Sequence, residues 1–253
     1  MGIFIWDTAP SKIFVGDTQV SKVFVWDTQV RPTWWGGWQP WANTLLYLPL
    51  NTTYTYTDQS GNQVSTTNTN VAFWTYQWVD CWTFSNNTRI SVSPFNIPND
   101  FTFVWRCYNT WVYQYEWQIF DARSGSSNSI RSFFRISNER YWYAGGFSVN
   151  NVKNIADTSW VNFIQNQWVL FVYTVTDWKQ EIYVKWNNID NYYSEAYQYS
   201  WFTPTYISIG QEWNDWARRH FIGGLSNIII EDKIRTAQEI ADYYDQTKWN
   251  YGY

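Results

Sequence analysis

From Leu45 onward, apolar and polar positions fall into short runs separated by Gly, Asn, Asp, Ser and Pro. LLYLPL, VDCWTF, TRISVS, FTFVWRCYN, YEWQIFDAR, SIRSFFRIS, ERYWYAGGF, WVLFVYTVT, QEIYVKW, TYISIGQE and GGLSNIIIED each have strand length. The two-residue period in FTFVWRC and EIYVKW predicts half-buried antiparallel strands. One segment departs from this period. Thr236 stands three residues before Glu239 and ahead of IADYYDQTK, a capping-box spacing that predicts a single C-terminal helix. So many short strands with turn signals between them predict an all-β antiparallel sandwich or barrel.

The first 31 residues follow a different rule, a repeat with a period of ten. Phe4, Phe14 and Phe24 align, as do Asp7-Thr8, Asp17-Thr18 and Asp27-Thr28; Lys12 matches Lys22 and Val20 matches Val30. Each unit reads as a short strand, a turn and a return. Ten residues cannot bury their own apolar face, so the stack is expected to lean on a neighbour. Residues 1–31 are therefore read as a β-repeat attachment module engaging other protein subunits, 32–42 as a linker and 43–253 as the main domain. A homo-oligomer is expected. In the repeat column that holds Gly16, positions 6 and 26 hold Trp, just before Asp-Thr at a tight turn. Trp35, Trp178, Trp186 and Trp216 also stand where loops favour Gly. A genome that reads UGA as glycine, translated with UGA as tryptophan, accounts for this pattern.

Composition narrows the function. Lys+Arg 17 against Asp+Glu 21 gives a net charge of -4, without the basic excess of a nucleic-acid-binding domain. No apolar run approaches the length of a membrane span. MGIFIWDTAPSK lacks a basic segment followed by an apolar one, so no secretory signal is expected. Trp 21, Tyr 20 and Phe 16 make the chain 23% aromatic, while charged residues are 15%. Aromatics combined with Asn, Gln, Ser and Thr suit β-sandwiches and surfaces that bind sugars or proteins. With Cys81, Cys107 and His220 as the whole Cys/His complement, a four-ligand zinc site is excluded. The two cysteines could form one disulfide or remain buried thiols.

LLYLPLN, CWTFSNNTRISV, FTFVWRCY, WVLFVYTVTDWKQEIYVKWNNI, YISIGQE and FIGGLSNIIIEDKIRTAQEIADYY follow one another in an order that resembles the concanavalin A-like lectin/glucanase superfamily. Within it, the chain is most similar to laminin G-like domains, over roughly residues 43–249. The hairpin from Asp177 to Val184 and the ending GGLSNIII followed by TAQEI carry most of the likeness. The resemblance implies an antiparallel β-jelly-roll sandwich. The decamer separately resembles tandem units of phage structural and tail proteins. Together the two imply an adhesion protein of a virion or cell-surface appendage.

Catalysis is not expected. Glucanase members of the superfamily carry E-x-D-x-x-E on one strand, which this chain lacks. A glycosidase needs two facing carboxylates. Glu116 and Asp121 are five apart and would face opposite sides of a regular strand; Asp177 and Glu181 flank a hairpin turn; Glu212 and Asp215 sit in a loop. His220 between Arg219 and Phe221 reads as a strand or loop residue, not a base. Sugar binding instead requires aromatic faces beside planar polar groups. The loop QEWNDWARRH offers Trp213, Asn214, Asp215, Trp216 and Arg218; Asp121 and Arg123 lead into GSSNS; Tyr141 and Trp142 form a third group. Laminin G-like relatives often bind calcium at the rim, so Asp215, Asn214 and Asp121 could supply oxygen ligands. The expected partner is a glycan or cell-surface receptor. The competing reading is a virion or filament subunit that assembles through aromatic interfaces and has no glycan ligand.

Overall fold

Alternation in FTFVWRCYN sends Phe101, Phe103, Trp105 and Cys107 into the main core and Thr102, Val104, Arg106 and Tyr108 to the other side of the strand. Both sides are buried, because this strand is central. In the computed structural model, the described residues are the strand segments between 14 and 30 and most of 43–251. Within the latter, 52–55, 86, 111–115, 125–127, 137–142, 150–151, 157–165, 177–178, 187–188, 197–202 and 212–219 lie outside the description. The chain divides into two compact units, Met1–Trp41 and Ala42–Tyr253.

In the first unit, β1 (Phe14–Val15) pairs with β2 (Thr18–Gln19) and β3 (Val23–Val25) pairs with β4 (Thr28–Val30). The closing pairs Val15↔Thr18 and Val25↔Thr28 stand ten residues apart, so the sequence period is a period of hairpins.

The second unit is an antiparallel sandwich, with strands numbered in chain order. Its larger sheet runs β17 (Ile189–Ala196), β16 (Lys179–Trp186), β15 (Trp168–Val175), β10 (Phe101–Asn109), β19 (Gly223–Glu231), β8 (Val79–Phe84), β7 (Ala72–Tyr76). Strand β5 (Thr44–Leu48) joins β19 beyond the end of β8. The facing sheet runs β14 (Val152–Ala156), β13 (Tyr143–Val149), β12 (Asn128–Ile136), β11 (Glu116–Ser124), β18 (Tyr206–Ile209), β9 (Arg89–Val92), β6 (Thr66–Thr69). Strands β6, β7, β14 and β17 were not anticipated. TTNT and IDNYYSEA are polar, and at sheet edges the backbone ladder, not an apolar face, holds them.

The two sheets meet in one core. Phe103 of the larger sheet lies 4.8 Å from Phe120 of the other, ring to ring, and Trp105 stacks on Phe171 at 4.1 Å. Burying such rings removes large apolar areas from water, at about 25 cal/mol per Å². Cys107 and Cys81 are both free and fully buried, but on opposite sides of the larger sheet. Burial pushes the Cys81 thiol up to about 12.

The outer side of the larger sheet is closed by α1 (Ala237–Thr247) and a 3₁₀ turn, Lys248–Tyr251. Arg106, which alternation alone would place toward solvent, is fully buried there. Its guanidinium lies 4.0 Å from the centre of the Tyr251 ring and donates to Thr247 Oγ1. The expected cap is present: the Glu239 N–H donates to Thr236 Oγ1 at 3.2 Å, and the Thr236 N–H donates to Glu239 Oε2 at 2.8 Å.

The Lys233 ammonium, followed by the Thr236 N–H, holds the Glu239 carboxyl down at about 2. A carboxyl depressed by folding stabilises the fold above its unfolded value and loses that contribution as pH falls through the folded one. The stabilising effect should therefore disappear between about pH 4.5 and 2. Melting curves of the parent and Glu239→Gln are expected to differ at pH 7 and to converge through that window. A constant gap would refute the assignment.

Candidate functional site

Antiparallel ladders place the loops of the smaller sheet at two rims. The register pairs Glu116 with Arg135, Ile136 with Tyr143, Gly145 with Ala156, Phe120 with Ile209 and Thr69 with Arg89. The starts of β9, β11 and β13 and the ends of β6, β12, β14 and β18 thus share one rim. The opposite rim gathers the start of β6, the end of β9, the start of β18 and the end of β11.

Two of the three groups nominated from sequence lie outside the described residues. Trp213, Asn214, Asp215, Trp216 and Arg218 lie outside the described residues, but the base of their loop is described. Gln211 pairs with His220, Phe221 N–H donates to Gly210 O at 2.8 Å, and Gly210 N–H donates to Ile119 O at 2.9 Å. His220 is buried in this base. Tyr141 and Trp142 also lie outside the described residues, in the connection between β12 and β13.

Asp121 and Arg123 are in the middle and far half of β11. Arg123 Nε donates to Asp121 Oδ1 at 2.8 Å, and Asp121 is fully buried. The strand is not regular: a bulge at Ile119 shifts the register, so Glu116 faces Arg135 and Asp121 faces Arg131. Those partners are four apart. Along the ladder, Glu116 and Asp121 are thus set four partner positions apart, where a regular strand would set them five apart. Four residues of strand are about 13 Å, wider than the roughly 5–9.5 Å between the carboxyls of a glycosidase pair. Glu181 lies on β16, which pairs with β15 as the expected hairpin; Asp177 lies outside the described residues. Among the described residues, no three His, Cys, Asp or Glu side chains converge as a metal site, and no helix is long and apolar enough to cross a membrane.

The opposite rim contains a cleft of about 540 Å³ between the two sheets. Its walls are the segment before β6, the segment after β9, the start of β5 and Asp232 just beyond β19. Asp58 builds the first wall. Its Oδ1 accepts from the N–H groups of Tyr47 at 3.0 Å and Ser60 at 2.9 Å, and its Oδ2 from the Val64 N–H at 3.0 Å. Gly61 at φ 92 and Gln63 at φ 55 turn the chain there. Asn62 Nδ2 ties this loop to the Thr44 carbonyl at 2.7 Å. On the other wall, Ser93 N–H donates to Ser65 O at 2.8 Å, and half-buried Phe95 packs against the core between Pro94 and Asn96.

The backbone of Asp232 is pinned by an exchange with Asn43, its N–H donating to Asn43 O at 2.8 Å. Among the described residues, the Asp232 carboxylate and the Gln63 amide have no hydrogen-bond partner. The cleft thus joins an aromatic ring and prolines to polar groups with free bonding capacity, on a pinned backbone. Sequence reading missed it because its residues come from four separate segments. The Thr/Asn/Gln-rich stretch and N-I-P-N were the visible signals.

No protein-family model and no curated protein matches this chain. Solved structures do. Domain 4 of AbnA, a GH43 extracellular arabinanase from Geobacillus stearothermophilus, in complex with arabinotriose, superposes with a TM-score of 0.57 at 10% identity, covering 79% of this chain and 97% of that one. A botulinum neurotoxin type C structure, described as showing that cell entry depends on interaction with two ganglioside molecules, gives 0.54 at 13% identity, covering 80% and 51%. The enzymatically active domain of tailspike protein 2 from bacteriophage CBA120 gives 0.53 at 8% identity, covering 74% and 30%. This chain spans about half of the toxin chain and less of the tailspike. At these identities the likeness is one of fold, an all-β jelly-roll-like sandwich shared with carbohydrate-binding and tailspike domains.

Proposed function

We propose that the sandwich is a non-catalytic adhesion head that binds a neutral saccharide in the cleft beside Phe95. In this reading the head belongs to a phage tail fibre or surface appendage, and residues 1–31 serve as its attachment module. The observation that carries the reading is the cleft itself, where an aromatic ring adjoins an unengaged carboxylate and amide. Sugars present apolar C–H faces and hydroxyl edges, and these groups suit both. Among the described residues, Asp232 is the one charge in the lining, so a hydroxyl-rich neutral sugar is favoured and an anionic one repelled. A single carboxylate also supports binding over hydrolysis, which takes two. Arabinotriose on a similarly folded domain is consistent with this class.

The test is a glycan array probed with the full chain, with and without calcium, followed by calorimetry on the best ligand. Asp232→Ala and Phe95→Ala are each expected to weaken binding about 10-fold or more, since a hydrogen bond to a charged group contributes about 1.5–3 kcal/mol. A blank array, or variants that bind as the parent does, would reject the cleft. A blank array with self-assembly through the sandwich would turn the assignment to the structural subunit.

A further inference from the structure

Among the described strands, six hairpins close through two residues. The flanking pairs are Val15 with Thr18, Val25 with Thr28, Tyr76 with Val79, Val149 with Val152, Thr176 with Lys179 and Trp186 with Ile189. The connecting dipeptides are Gly16-Asp17, Trp26-Asp27, Gln77-Trp78, Asn150-Asn151, Asp177-Trp178 and Asn187-Asn188. Two-residue hairpin turns that match the strand twist need positive φ, which selects Gly, with Asn and Asp next. Three of the six follow this rule with Gly or Asn. The other three place Trp beside Asp or Gln.

At Gln77-Trp78 the backbone itself is described. Gln77 has φ 46 and Trp78 φ 70, a conformation where a Cβ is strained and a bulky residue is an outlier. Trp78 is also 86% exposed, so core burial does not offset the strain. Thr176 N–H donates to Lys179 O at 2.8 Å, so two residues, Asp177 and Trp178 in the sequence, connect that pair. Asp-Gly is a preferred dipeptide for that turn. Trp26 is aligned in the repeat with Gly16, as Trp6 is.

Other tryptophans in the chain behave as tryptophan. Trp105 is fully buried and stacked on Phe171, Trp168 is fully buried with its Nε1–H donating to Tyr76 O at 3.2 Å, and Trp82 packs edge-on to Tyr56 at 5.1 Å. Glycine at those positions would leave cavities. The residue type therefore falls into two populations, one buried with its indole packed in the core and one at two-residue connections whose turn chemistry favours glycine. Trp186 belongs to neither turn position: it ends β16, paired with Ile189. Trp35 and Trp216 lie outside the described residues.

We propose that Trp26, Trp78 and Trp178, and Trp6 with them, are glycine in the polypeptide as its own cell makes it. Each would be encoded by UGA and read by a tRNA that carries glycine, while the buried tryptophans are encoded by UGG. Two codons would produce such a division, and UGA and UGG are the pair a single alternative code can split. The partner this gene needs is then a glycine-charged tRNA with a UCA anticodon. The exposed ring at position 78 ceases to be a candidate ligand platform, whatever the cleft binds.

Three measurements decide it. The gene is expected to show UGA at positions 26, 78 and 178 and UGG at 82, 105 and 168. Peptide mass spectrometry of natively made protein is expected to show glycine at position 78. In the full chain as written, Trp78→Gly together with Trp178→Gly is expected to raise Tm by about 2–4 °C or more, although glycine substitution ordinarily lowers it. UGG at position 78, a tryptophan mass in that peptide, or an unchanged or lower Tm would overturn the proposal.

Discussion

Glu231→Ala is expected to lower stability by about 3–5 kcal/mol, because it leaves a buried guanidinium without its carboxylate. Arg235 Nε donates to Glu231 Oε2 at 2.5 Å and Arg235 Nη2 to Oε1 at 2.8 Å, a two-pronged pair whose side chains are 3% and 1% exposed. The pair joins the end of β19 to the residue before the N-cap of α1, so the loss also loosens the helix that covers Arg106. At this chain length the expected fall in Tm is about 10 °C. The size of the effect reflects a stranded charge, not the net worth of the pair. Replacing both partners by apolar residues of similar volume, Glu231→Leu with Arg235→Met, should therefore cost much less than the single change. Thermal melts of both variants provide the check: a double variant as unstable as the single one would contradict this account.

Gly223→Ala is expected to cost more than 3 kcal/mol, on the order of a severe core lesion. Gly223 has φ 148, and a Cβ built on it would lie 2.1 Å from the Tyr108 carbonyl oxygen. That oxygen belongs to β10, whose ladder to β19 includes Tyr108↔Gly224 and Asn109↔Gly223. The carbonyl cannot retreat without breaking the central strand pair. Gly61→Ala is the control: its φ is 92, but nothing lies within 4 Å of the added atom, so it should cost only about 1 kcal/mol. Urea unfolding of both variants distinguishes steric conflict from backbone strain. Equal losses would show that the clash at Gly223 relaxes.

The strands most legible in the chain were those whose apolar residues enter the core. WVLFVYTV is buried at every position, and its apolar run is long enough to announce a central strand but too short to span a membrane. TTNT of β6 announces nothing, because an edge strand held by backbone hydrogen bonds needs no apolar face. Thr236 and Glu239 were readable as a cap because that motif is local, its partners three residues apart. The bulge at Ile119 was not readable. It depends on the register between β11 and β12.

The candidate site shows the same division. Asp121 and Arg123 were nominated as loop-edge polar residues, and the fold buries them as an ion pair. Gln63, Phe95 and Asp232 drew no attention, since 32 residues separate the first two and 137 the last two. Only the closing of one sheet over the other brings them to one cleft.

The sequence by itself determined the strand period, the hairpin repeat, the capped helix and the turns that call for glycine. Each of these is a local matter of sterics, hydrogen bonding or periodicity within about ten residues. The tertiary structure alone decided which polar residues are buried, where a strand slips by one, that Arg106 lies under α1, and which distant side chains share a cleft. Those outcomes follow from long-range pairing, in which register and burial depend on partners the local chain does not contain.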